Sequence, residues 1–160
     1  DRPVLLRPGA VTQEMIEEVV GKIDVDPAVF SKPSGDIVPK APGMKYKHYS
    51  PSARVILVTG PGENVIKTIN EKAKEDAQNG LKVGIMATEQ TKDSYNCSSV
   101  LVVGDRNRPE TIGANLFKIL RKFDFIGVDV VYSEVFDEDG EGAAIMNRLN
   151  KAAGFNYIKC

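Results

Sequence analysis

Arg54-Val55-Ile56-Leu57-Val58-Thr59-Gly60-Pro61-Gly62-Glu63-Asn64 decides how this chain folds. Residues 55–58 are continuously aliphatic, without the polar alternation of a half-exposed strand, so they predict a strand buried on both faces. Gly60-Pro61-Gly62 punctuates the chain. Beyond it Val65, Ile66, Ile69, Ala73 and Ala77 recur along one side of a helix over 63–79, which Gly80 ends. A doubly buried strand feeding an amphipathic helix is the first half of a parallel strand–helix–strand unit.

Toward the C-terminus the alternation continues. Apolar strands are predicted at 82–87, 100–103 and 128–132. Pro109 opens a helix with Ile112, Leu116, Ile119, Leu120 and Phe123 on one face, and a last helix over 142–153 stops at Gly154. Tyr157-Ile158 adds a short strand. Alternation of this kind implies right-handed crossovers and a sheet covered on both faces. The predicted fold class is α/β: a small Rossmann-like three-layer domain over residues 54–160, with a mainly parallel sheet of about five strands.

Toward the N-terminus the pattern stops. Residues 22–53 hold five of the nine prolines (Pro27, Pro33, Pro39, Pro42 and Pro51) and are expected to form a linker without persistent helix or central strand. Before it, residues 4–7 predict a strand ended by Pro8-Gly9. Thr12 caps a helix over 13–20, with Glu14 at its positive end and Gly21 after it. One strand and one helix are too little to make a core. They are expected to lean on something else, and their apolar faces to invite self-association. The opening Asp1-Arg2-Pro3, without methionine and running straight into an apolar strand, is what an excised piece would show.

A net charge of -1 and a pI of about 5.9 argue against a polyanion-binding module. No apolar run approaches the ~18 residues of a membrane span. Cys97 and Cys160, with a single His, cannot form a Cys/His zinc cage and are expected as free thiols in a reducing, cytoplasmic setting.

Four segments could carry chemistry. The turn 59–64 sits where a doubly wound sheet can bind phosphate, but lacks the third glycine and the Walker lysine, so a plain strand-to-helix turn is the better account. Glu134, Asp137, Glu138, Asp139 and Glu141 form an acidic stretch. Asp137-x-Asp139-Gly140 matches part of a calcium loop, yet Val135 and Met146 occupy its end ligand positions, and a solvated loop is expected instead. The helix over 143–153 carries a core stripe of Ile145, Leu149 and Ala152. Between Ile37 and Gly62 stand Lys40, Lys45, Lys47 and Arg54 without any acid, interleaved with Tyr46, His48 and Tyr49. Ammonium groups and aromatic faces suit a nucleotide; an exposed linker docking its tyrosines on a neighbour suits the same residues, and chemistry alone leaves both open.

Pro42-Gly43-Met44-Lys45-Tyr46-Lys47-His48-Tyr49-Ser50-Pro51 resembles the interdomain linker of the two-domain threonylcarbamoyl-AMP synthases. Leu6-Arg7-Pro8-Gly9 resembles the last strand-to-helix turn of their YrdC-like catalytic domain. Gly142-Ala143-Ala144-Ile145-Met146-Asn147-Arg148-Leu149, with Lys151-Ala152-Ala153-Gly154, resembles the end of their C-terminal domain. The resemblance divides the chain into a catalytic-domain remnant (1–21), an interdomain linker that acts as a lid (22–53) and the C-terminal domain (54–160). It implies an enzyme that condenses L-threonine, bicarbonate and ATP into threonylcarbamoyl-AMP and pyrophosphate, with Mg2+ accompanying ATP, for tRNA modification. Arg7 and Tyr49 are then ATP contacts, with Lys45, Tyr46, Lys47 and His48 in the same neighbourhood. Lys47 stands where arginine is common in relatives, which loses the bidentate fork. Because the family's substrate residues lie upstream, this chain alone is expected to be inactive, to bind no cofactor and to contain no catalytic or metal-binding residue. The tRNA is reached only indirectly and no membrane is involved. The alternatives are an autonomous Rossmann-like module for a nucleotide or other small ligand, and a tRNA- or protein-docking domain.

Overall fold

The computed structural model describes residues 2–30 and 50–160. Its first elements are β1 (Val4–Leu5), α1 (Gln13–Val20) and β2 (Asp24–Val25), followed by a 3-10 turn at Pro27–Val29. Then come β3 (Arg54–Thr59), α2 (Gly62–Gln78), β4 (Val83–Thr88), a 3-10 turn at Lys92–Ser94, and β5 (Val100–Gly104). The chain closes with α3 (Pro109–Ile126), β6 (Val130–Glu134), α4 (Glu141–Ala153) and β7 (Tyr157–Lys159).

Five strands form one sheet in the order β5-β4-β6-β3-β7, with every pairing parallel. The predicted α/β class and five-stranded sheet are therefore both present. The aliphatic run at 55–58 lies near the middle, where β6 and β7 flank it, and that position explains the missing polar alternation. α2 covers one face, burying Val65, Ile69 and Ala73 against Val58, Ile85, Val130 and Tyr132. α3 and α4 cover the other, burying Ile112, Leu116, Phe123, Ile145 and Leu149 against Val55, Leu57, Met86 and Val131.

Packing on that second face is close. A Cβ at Gly84 would lie 2.5 Å from the Phe123 ring, so β4 meets α3 at a position where only glycine fits. At the start of α4, a Cβ at Gly142 would lie 1.9 Å from the Asp137 carbonyl oxygen. The small residues opening this helix let the preceding loop fold back on it.

The β4–β5 connection has no helix of its own. Instead Asn70 on α2 clamps it, donating to Ser94 O at 2.8 Å and accepting from Asn96 N at 3.0 Å. β6 runs two residues further than predicted: Val128 is buried but precedes the strand, and Glu134 ends it.

The N-terminal elements differ from expectation in two respects. The span 22–53, predicted to lack regular structure, begins with β2 and a 3-10 turn. β2 pairs in parallel with β1 through two residues each. Pro27 takes the first turn position, where a missing N–H costs nothing, and Asp26 caps the turn by accepting from Ala28 N at 3.0 Å. The predicted strand at 4–7 shortens to two residues, the length that β2 can pair. α1 has the predicted limits, with the Thr12 hydroxyl accepting from Met15 N at 3.3 Å.

Candidate functional site

Two places in the fold gather polar side chains. The first is the C-terminal end of α4. Arg7, exposed just after β1, bears on Lys151, whose ammonium is held below the usual lysine value chiefly by burial and then by the Arg7 charge. Ser50 reaches the same place, its hydroxyl directed at the carbonyls of Lys151 and Ala152 at 3.5 and 3.4 Å. A helix C-terminus presents unpaired carbonyls and partial negative charge. Lys151 and Arg7 supply the opposite charge, and Ser50 brings the chain onto it.

The second lies at the carboxyl ends of the strands. Glu134 is 3% exposed, and its carboxylate ties two connections to the end of β6. Oε1 accepts from the Thr91 hydroxyl and, at 2.6 Å, from the Tyr95 hydroxyl, both on the β4–β5 connection. Oε2 accepts from Arg106 Nη2, on the β5–α3 connection, at 2.5 Å. Arg106 Nη2 also donates to Val135 O at 3.0 Å, and the guanidinium lies over the Phe136 ring at 5.2 Å. Burial, then the Glu134 carboxylate, push the Tyr95 hydroxyl far up, so it stays a donor.

One family model matches most of the chain. Residues 11–154 match the model described as "Threonylcarbamoyl-AMP synthase, C-terminal domain". The chain belongs to this family. Among its relatives, the threonylcarbamoyl-AMP synthase of Pyrococcus abyssi is 48% identical over 98% of this chain and 44% of its own length. That of Bacillus subtilis is 42% identical over 99% and 44%. Two solved structures of P. abyssi Sua5 superpose closely. One is a variant with an adjacent His and Tyr both replaced by Ala (TM-score 0.86, 44% identity, 98% of this chain and 43% of that one). The other is a complex with L-threonine (TM-score 0.85, 45% identity, 98% and 44%). The chain thus spans less than half the length of these synthases and corresponds to their C-terminal part.

Of the residues that the sequence pointed to, the structure places Arg7 at the end of α4. Tyr49, Lys45, Tyr46, Lys47 and His48 lie outside the described residues. The turn 59–64 is a tight strand-to-helix turn, as expected, with no side-chain cap on α2. Asp137, Glu138 and Asp139 are exposed, as a solvated loop requires. Glu134 corrects the expectation for that stretch: it is buried and ion-paired. From Phe123 to Asn147 the synthase segment has no base, so a solvated loop was the natural inference; the partner comes from Arg106, on another connection. Asn147 had no assignment from sequence. It is buried and donates to Val29 O at 2.9 Å, tying the 3-10 turn to α4.

Proposed function

We propose that this chain is the substrate-covering and regulatory part of an L-threonylcarbamoyladenylate synthase. The complete enzyme would turn L-threonine, bicarbonate and ATP into threonylcarbamoyl-AMP and pyrophosphate for tRNA threonylcarbamoyladenosine modification in the cytoplasm. The observation that carries this is the 48% identity to a threonylcarbamoyl-AMP synthase across 98% of the chain. Residues 1–21 belong to the catalytic domain, 22–53 to the lid and 54–160 to the C-terminal domain. tRNA is met only indirectly, through the product.

Arg7 and Tyr49 contact ATP. The meeting of Arg7 and Ser50 at the end of α4 supports the pairing, because Ser50 follows Tyr49 in the chain and Arg7 approaches the same helix end. The adjacent His and Tyr replaced in P. abyssi Sua5 give further support, since the single histidine here, His48, is followed by Tyr49. Lys45, Tyr46, Lys47 and His48 line the same neighbourhood. Arginine offers a phosphate two parallel donors, and a tyrosine ring offers the base a face. Closing such a segment over the cleft would exclude water from a carbamate and a mixed anhydride, both prone to hydrolysis.

Among the described residues no group of three or more His, Cys, Asp or Glu side chains is placed to hold a metal. The Mg2+ of the reaction would accompany ATP. No helix among the described residues is long and apolar enough to cross a membrane.

The test is the complete enzyme carrying Tyr49→Ala. Its KM for ATP should rise and threonylcarbamoyl-AMP formation should fall; unchanged kinetics would remove Tyr49 from the site. The isolated chain should form no threonylcarbamoyl-AMP, and turnover by it would overturn the division into domains.

A further inference from the structure

β3 and β6 are neighbours in the sheet, yet the chain leaves them in opposite directions: from β3 into α2 on one face, from β6 into α4 on the other. Diverging connections open a crevice between the strand ends, and open α/β sheets take their ligands there. In this chain the crevice has a volume of about 420 Å³, within the range of small-molecule sites. Val58, Val65, Ile66 and Phe136 give it apolar walls, and Arg106, Glu134 and Asp137 are its charged lining residues.

These three charged groups are not equivalent. Glu134 is satisfied by Thr91, Tyr95 and Arg106. Arg106 is only half used: Nη2 serves Glu134 and Val135 O, whereas Nη1 and Nε make no hydrogen bond among the described residues. The guanidinium is held from two sides, by the buried carboxylate and by the Phe136 ring. Only Glu134 is buried in this pair; Arg106 is exposed. A guanidinium anchored on a buried carboxylate presents a fixed, accessible fork to a ligand carboxylate. Asp137 is exposed at the mouth, with no ion-pair partner among the described residues.

We propose that this crevice binds a small zwitterion of the amino-acid class, its carboxylate on Arg106 and its ammonium group toward Asp137. The lining charges decide the class. A phosphate dianion would face two carboxylates against one guanidinium, and a simple cation would face Arg106. A neutral molecule with separated charges and a short apolar body suits all three groups and the walls. This site is not the one proposed for ATP. α4 starts beside the crevice and carries Lys151 in its last turn, so about 15 Å of helix separates the two places. The inference thus goes beyond the proposed function and stands independently of it.

The test is a 15N NMR titration of the 160-residue chain with an equimolar mixture of the twenty proteinogenic amino acids, with sodium acetate and with inorganic phosphate as separate probes. The amino acids should give saturable shifts at the amides of Gly60, Gly62, Arg106, Val135 and Phe136, with acetate binding more weakly and phosphate giving no saturable shift there. Arg106→Gln should weaken amino-acid binding about tenfold or more, the usual consequence of losing a charged hydrogen-bonding partner. Asp137→Asn lies on the exposed loop, keeps the fold, and should abolish the preference for amino acids over acetate. If Arg106→Gln disrupts the fold, Asp137→Asn decides alone. Absence of saturable shifts, equal or tighter binding of phosphate, or an unchanged preference in Asp137→Asn would each overturn the proposal.

Discussion

α3 buries Ile112, Leu116, Ile119, Leu120 and Phe123, whereas α1 buries none of its eight residues. Both helices are amphipathic, and both follow a strand. The difference lies in what stands behind them. α3 packs on a five-stranded sheet and on α4; among the described residues, the sheet beside α1 is only the two-residue pair β1–β2. Val11, Met15, Val19 and Val20 consequently face outward, Val19 with 84% of its surface exposed. An apolar stripe becomes core only when an opposing surface of matching size exists, and residues 2–30 do not supply one. They meet the larger unit at the Val29–Asn147 hydrogen bond and where Arg7 approaches Lys151.

The strongest way to break this comparison is inside the larger unit. Phe123→Ala removes a fully buried ring packed on Gly84, and it should cost about 3–5 kcal/mol in urea unfolding. A loss under about 1 kcal/mol would mean that α3 is no better supported than α1.

Next comes the polar end of the sheet. Tyr95→Phe leaves the Glu134 carboxylate short of one donor and should cost about 1.5–3 kcal/mol. The same hydroxyl sets a pH dependence. Burial and Glu134 raise it above the unfolded value of about 10. Its contribution is therefore complete below about pH 10 and is lost as pH rises toward the higher folded value, because the unfolded chain gives up its proton first. Tyr132, raised by burial and by Asp76, adds in the same direction. Urea titrations from pH 8 to pH 11 should show stability falling above about pH 10, less steeply in Tyr95→Phe; an equal slope would exclude Tyr95 as a source.

The strands and helices of residues 54–160 were readable because each obeys a local rule: continuous aliphatic runs for buried strands, 3.6-residue spacing for helices, and Pro109, Gly80 and Gly154 as punctuation. Strand order was not readable, since parallel pairing joins residues far apart in sequence, such as Val55 with Val131. Glu134 was missed for the same reason: nothing near it in sequence announces Arg106, and an acid among acids looks solvated. β2 was hidden by the prolines around it, although Asp26-Pro27 is a turn signal that could have marked the 3-10 turn. Arg7 is singled out by its family motif alone; no periodicity or spacing in residues 4–9 points to a nucleotide.

Smaller effects test the junction. Asn147→Ala leaves the buried carbonyl of Val29 without its donor and should cost about 1–2 kcal/mol. The loss should be local: hydrogen exchange should quicken at residues 23–30 while the amides of β3 and β6 keep their protection. Uniform loss of protection across the chain would show that residues 2–30 and 54–160 unfold as one unit and would erase the distinction drawn between them.

The smallest expected change is at α1. Val19→Ser alters a side chain with little to touch in this chain, and it should move unfolding stability by no more than about 0.5 kcal/mol. That near-neutrality is the informative part. If the outward faces of α1 associate with another copy of the chain, Val19→Ser removes apolar area from the contact, and sedimentation equilibrium would show a weaker dimer beside unchanged monomer stability. In the longer protein proposed above, the same substitution would be costly if further chain covers α1, because an exposed valine here would be a buried one there. A small effect in the isolated chain and a large one in the complete enzyme is the outcome expected if residues 2–30 borrow their stability from a surface outside this chain. Equal, small effects in both would place Val19 on an outer surface of the whole protein.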